Sequence, residues 1–204
     1  MANIMNVDYE AIPAQAQQIR TYGEQLNAEL TTAYNSISNM HNSWYGNRYN
    51  MLVKEFNNII PEVNTLLDIV VGEIPFALET IANNYSQADR GSNVTSACKT
   101  APKKISELAI SNDVGMKFVT SEVSATQSNV TNNFNKSKDL MNTIESAYGR
   151  IQWKSEAAEA FATKFRKIKN DIVASFENIN SQFATLMNQT LEDIQATENA
   201  NTVQ

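Results

Sequence analysis

His41 is the only histidine in the chain and Cys98 the only cysteine. With a single imidazole, a multi-histidine metal site inside one chain is excluded, short of sharing between copies, and no Ser–His–Asp triad is expected. His41 lies in a polar, Asn-rich stretch, so a hydrogen-bonding turn residue is expected there. A lone thiol forms no intrachain disulfide. Cys98 also has no neighbouring histidine to activate it as a nucleophile. Carboxylate pairs such as Glu156 and Glu159 fall on helical patterns, where a solvated face is expected. No Gly-rich loop that could cradle a phosphate is present. The sequence therefore predicts a non-enzymatic protein, with no catalytic residue, no metal ligand and no cofactor.

Binding is the remaining class, and charge narrows it. The net charge is −6, which disfavours nucleic acid and anionic membranes as partners, because both select clustered Lys and Arg. The most apolar stretch, Leu66–Leu78, is interrupted by Asp68 and Glu73. It is too short to span a bilayer, so no stable membrane insertion is expected. The first basic residue is Arg20, and residues 1–19 lack the charged and apolar regions of a signal peptide. At 42% apolar content a packed core is expected, and six Gly and four Pro are few enough to favour long helices.

Apolar residues set the elements. Ile12, Ala16, Ile19, Gly23, Leu26, Leu30, Ala33, Ile37, Met40 and Trp44 follow one another at steps of four and three. All but Gly23 are apolar, which is the seam of a helix with one buried stripe. A second seam runs Leu52, Phe56, Ile59, Val63, Leu67, Val70, Ile74, Leu78, Ile81 and Tyr85. The stretch His41–Arg48 between them has turn chemistry, so the two seams read as an antiparallel hairpin. Pro61 and Pro75 fall inside the second helix and are expected to kink it; the alternative is a break near Gly72–Pro75.

The pattern then repeats. At an offset of 109, as from Phe56 to Phe165, the second seam recurs as Phe161, Phe165, Ile168, Ile172, Phe176, Ile179, Phe183, Met187, Thr190 and Ile194. At an offset of 111 the first recurs as Val123, Gln127, Val130, Phe134, Ser137, Met141, Ile144, Tyr148 and Ile151. Self-similarity at nearly one offset marks a duplicated unit. Val53, Ile60, Leu66, Ile69 and Phe76 widen the first stripe, and Val173, Leu186 and Leu191 the second. Each such side chain stabilises by roughly 1.5–3 kcal/mol when buried. One hairpin cannot cover stripes this wide, whereas two can. The fold class predicted is all-α: two antiparallel helical hairpins in tandem, packed as an elongated four-helix bundle. The parts are a hairpin at 5–90, a flexible linker at 91–112 with room for a short helix at Lys103–Ile110, and a hairpin at 113–199. The repeats pair within one chain or swap between chains as a homodimer.

The first turn reads Trp44-Tyr45-Gly46 and the second Trp153-Lys154-Ser155. Gly and Ser both serve as helix N-caps, and Trp suits the plug at a bundle end. After the first hairpin, Tyr85 precedes Asp89 by four residues; the matching places in the second are Ile194 and Glu198. In these features each half resembles the WXG100 (ESAT-6-like) family of small secreted helical hairpins. The first half carries the Trp-x-Gly turn intact at Trp44 and Gly46. The second departs from it at Ser155, and its tail lacks the aromatic.

The resemblance implies a bacterial, virulence-associated substrate of type VII secretion, exported without a cleavable signal peptide. It implies Tyr85 and Asp89 as the secretion signal, and as partners the secretion ATPase and a host or bacterial protein. Family partners place the tail of one chain near the Trp turn of the other, which implies that this chain fuses such a pair, with Tyr85 and Asp89 close to Trp153 and Ser155. Two readings compete: a cytoplasmic helical adaptor or chaperone, and a helical pore-forming toxin using Leu66–Leu78.

Overall fold

The computed structural model describes residues 7–151 and 156–202. Helix α1, Ile12–Met40, opens with a proline in its first turn, where the missing N–H costs nothing. A two-residue strand, β1 at Trp44–Tyr45, follows. The chain then descends through α2 at Asn47–Asn58, α3 at Ile60–Leu67, a π-helical turn at Asp68–Glu73 and α4 at Ile74–Arg90. Gly91, left-handed at φ 71°, ends this arm. A long extended segment leads to β2 at Lys117–Phe118, which pairs antiparallel with β1. Helices α5, Thr120–Gly149, and α6, Glu156–Asn201, complete the fold.

The result is the expected all-α bundle of two hairpins. Every seam residue of α1 is buried. Gly23, the one non-apolar member, lies where α1 meets the π turn. A Cβ there would stand 2.9 Å from Cγ2 of both Val70 and Val71. Phe56 and Phe165 are both buried, and Ser137, the polar exception on α5, donates its hydroxyl to the Asn133 carbonyl at 2.8 Å.

An aromatic layer ties the four rods together. Tyr34 of α1 meets Phe56 of α2 edge-on at 5.3 Å; Phe56 stacks on Phe134 of α5 at 5.8 Å; Phe134 stacks on Phe176 of α6 at 4.0 Å. Tyr34 also donates its hydroxyl to the Phe56 carbonyl at 2.8 Å, and burial pushes its pKa well up. Helix α1 packs more extensively on α5 than on its own hairpin partner. The wide stripes are thus covered by the opposite half, as the hydrophobic term requires.

Pro61 and Pro75 act as kinks rather than ends. The arm stays right-handed through Ile59, and the Val63 amide still reaches the Ile59 carbonyl at 3.0 Å. Ahead of Pro75 the helix widens, and the Ile74 amide bonds to Ile69, five residues back. The extra residue turns the downstream face. Leu78, Ala82 and Ser86 are buried there. Ile81 and Tyr85, assigned to the seam by a strict four–three step, are only half-buried. Phe76, also expected to be covered, is 38% exposed because it lies on the outward side of the turned face.

The linker corrects two expectations. No helix forms at Lys103–Ile110, and the segment is pinned rather than free. Helix α5 runs antiparallel to α1, as the ion pair of Lys136 with Glu29 and the surface depression that Arg150 shares with Gln15 show. It therefore starts at the Trp44 end, and the chain must climb back along the arm. Between Asn83 and Asn50 that climb is about 50 Å of helix. Thr95 to Ser111 covers it at about 3.1 Å per residue, the rise of a polyproline-II strand. A helix would fall far short of that span.

Candidate functional site

The Trp44 turn lies at one end of the bundle. Met40 closes α1, and the chain reverses before α2 starts at Asn47. Trp44 is fully buried. Its ring stacks on Phe183 of α6 at 6.0 Å and meets Phe118 edge-on at 5.4 Å. Arg48 pairs with Asp193 of α6 at 2.5 Å, so the end of the second hairpin sits beside the first turn. Gly46 caps α2 at φ 120°, a conformation that side chains of L-residues rarely adopt. The expected N-cap position is correct, but backbone geometry, not capping chemistry, selects glycine.

Tyr85 and Asp89 lie at the opposite end. Asp89 accepts a hydrogen bond from Tyr9, and this bond raises the Tyr9 phenol pKa. Arg90 lies over the Tyr9 ring at 4.9 Å and pairs with Glu10. Asp8 and Ile12, next to Tyr9, share a surface depression with Arg150, the residue that follows α5. Trp153 and Ser155 lie outside the described residues. Arg150, at the end of α5, is therefore at the Tyr85–Asp89 end, and the structure separates Trp44 and Gly46 from Tyr85 and Asp89 by the length of the bundle.

His41 and Cys98 both serve the linker. His41 Nε2 lies 2.5 Å from Asp113 and 3.0 Å from Ser111. The hydrogen bond from Ser111, then that from His41, holds the Asp113 carboxyl below its usual range. Cys98 donates its amide to Glu79 at 3.1 Å and its carbonyl accepts from Arg20 at 3.4 Å. Arg20 and Glu79 are themselves a buried ion pair at 2.9 Å. Its worth lies in fixing the strand over α1 and α4, since burial offsets most of the Coulomb gain.

A constellation that the sequence reading missed lies between these ends. Asn50, Asn57 and Asn64 recur at intervals of seven along α2 and α3. Each side chain takes one backbone unit of the linker in both directions. Asn50 bonds the carbonyl and amide of Ser111 at 2.8 and 2.9 Å. Asn57 does so with Leu108 at 3.0 and 2.8 Å, and Asn64 with Ile105 at 2.9 and 2.9 Å. Asn83 holds Thr95 in the same way. The signal was present in the seven-residue spacing of one amide side chain on a helix flank.

Among the described residues no group of three His, Cys, Asp or Glu is placed to hold a metal ion, and no helix is long and apolar enough to cross a membrane. The model of the WXG100 family, described as proteins of 100 residues with WXG, matches residues 4–90. No curated protein and no solved structure matches the chain. The matched segment covers α1, the Trp44-Tyr45-Gly46 turn and the arm to Arg90, which is the helical hairpin of a family associated with type VII secretion. The family match thus falls on the first helical hairpin, residues 4–90, and covers less than half of the 204-residue chain.

Proposed function

We propose that this chain is a non-enzymatic substrate of a bacterial type VII secretion system, exported as a folded, self-paired protein that acts by binding other proteins. The observation that carries the reading is the interface between the halves. The surface that a family hairpin offers to a partner is filled here by residues of the same chain, through Tyr34, Phe56, Phe134 and Phe176. In this reading residues 113–199 are a diverged second copy, and 91–112 joins it to the first.

The two ends of the bundle then divide the recognition elements. The intact Trp44–Gly46 turn faces the tail of α6, whose Ile194 replaces the aromatic. The intact tail pair, Tyr85 and Asp89, shares its end with Arg150, just before Trp153 and Ser155. Tyr85 and Asp89 form the export signal, read by the secretion ATPase at that end. The test is export into culture supernatant of Tyr85→Ala and Asp89→Ala, with folding checked by circular dichroism. Loss of export with intracellular protein retained supports the reading. Unchanged export of both variants contradicts the assignment of the signal.

A further inference from the structure

The Asn50, Asn57 and Asn64 ladder has the metric of a peptide-binding groove. Seven helical residues advance about 10.5 Å, and three residues of polyproline II advance about 9.3 Å. The ladder thus meets every third residue of an extended chain: Ser111, Leu108 and Ile105. It touches only backbone at each, so it reads conformation and spacing rather than side chains.

Side chains add a second, apolar code with the same period. Ile105 is buried in the core at 7% exposure, and Leu108 packs partly against it. The residues between them point outward and are exposed. Helix α1 supplies the other wall, where Asn27 donates to the Lys103 carbonyl at 2.9 Å. Lower down, the strand passes so close to the arm that a Cβ on Gly72 would stand 2.6 Å from the Thr100 carbonyl oxygen. At both ends of the strand, Gly91 and Gly115 take positive φ with open space around them.

We propose that the groove between α1 and the α2–α3 arm is a binding site for an extended polypeptide segment of the pattern Ile-x-x-Leu-x-x-Ser, and that the linker is its tethered occupant, exchangeable for the same pattern on another chain. The occupant is argued from the strand already seated there. Its own residues satisfy the ladder through main-chain groups that any polypeptide carries. The proposal does not depend on export.

The probe is a fluorescent synthetic peptide of residues 99–113, tested against the full-length chain. The tethered linker competes at an effective concentration in the millimolar range, so the unmodified protein binds the probe poorly. The variant Ile105→Asp/Leu108→Asp frees the groove and binds it at least about tenfold tighter. Adding Asn57→Ala to that variant removes two hydrogen bonds and weakens binding by roughly tenfold. Should the opened variant not fold, the unmodified chain is titrated with millimolar probe. Loss of hydrogen-exchange protection at its own Ile105, Leu108 and Ser111 amides then reports displacement. A folded, opened variant that binds no probe, binding indifferent to Asn57→Ala, or an unmodified chain whose amides stay protected at saturating probe overturns the proposal.

Discussion

The ring of Phe56, in the first hairpin, lies against that of Phe134, in the second, with centroids 5.8 Å apart and planes 30° from parallel. Both rings are buried. This is the point at which each half supplies the apolar surface that the other lacks. A helix stripe broader than its hairpin partner can cover is a liability in water, and the opposite half removes it.

Truncating either ring should therefore damage the whole bundle and not one half. Phe56→Ala and Phe134→Ala are each expected to lower stability by about 3–5 kcal/mol, the range for buried aromatic truncation. Because the rings touch, the double variant should cost less than the sum of the singles. Urea denaturation followed by circular dichroism measures all three. Strictly additive losses would show that the halves do not share this site.

Gly46 should tolerate no side chain. At φ 120° a residue with a Cβ carries strain of about 1–3 kcal/mol. Gly46→Ala is expected to lower the denaturation midpoint accordingly, although alanine is the better helix former elsewhere. An unchanged midpoint would mean that the turn relaxes freely and that the Trp-x-Gly pattern does not rest on backbone geometry.

Acid should loosen the second hairpin through Glu145. Lys169, then Arg166, donate hydrogen bonds to its carboxylate and hold its pKa below the ordinary 4.5. A carboxyl depressed in the folded state binds fewer protons there than when unfolded. Its contribution is complete above about pH 5 and is lost as pH falls through the depressed value. Glu145→Gln should thus make the loss of stability on acidification below about pH 5 less steep. Thermal unfolding across that interval tests it, and a slope identical to the parent's would assign acid sensitivity to other groups.

Sequence periodicity revealed the rods and their buried faces well. Ile12 to Met40 was legible in full because an uninterrupted helix keeps one register. Legibility failed past the π turn, where one extra residue moved burial from Ile81 and Tyr85 to Ala82 and Ser86. Proline announced a disturbance but not its form. The Asn ladder stayed hidden for a different reason. Its partners are main-chain atoms of an extended segment, and backbone groups leave no pattern in side-chain identity. The turn at Trp44 was legible by residue type, while the pairing of Trp44 with Phe118 needs a strand too short for any periodicity.

Zero-length carbodiimide cross-linking, read by peptide mass spectrometry on the band of single-chain mass, tests the self-paired bundle most directly. Lys164 lies 3.3 Å from Glu73 and Lys136 lies 3.5 Å from Glu29, each pair joining the two halves. Both cross-links are predicted in the 22.7 kDa species. Their absence from that band, or their appearance only at twice its mass, would contradict two halves that bury each other within one chain.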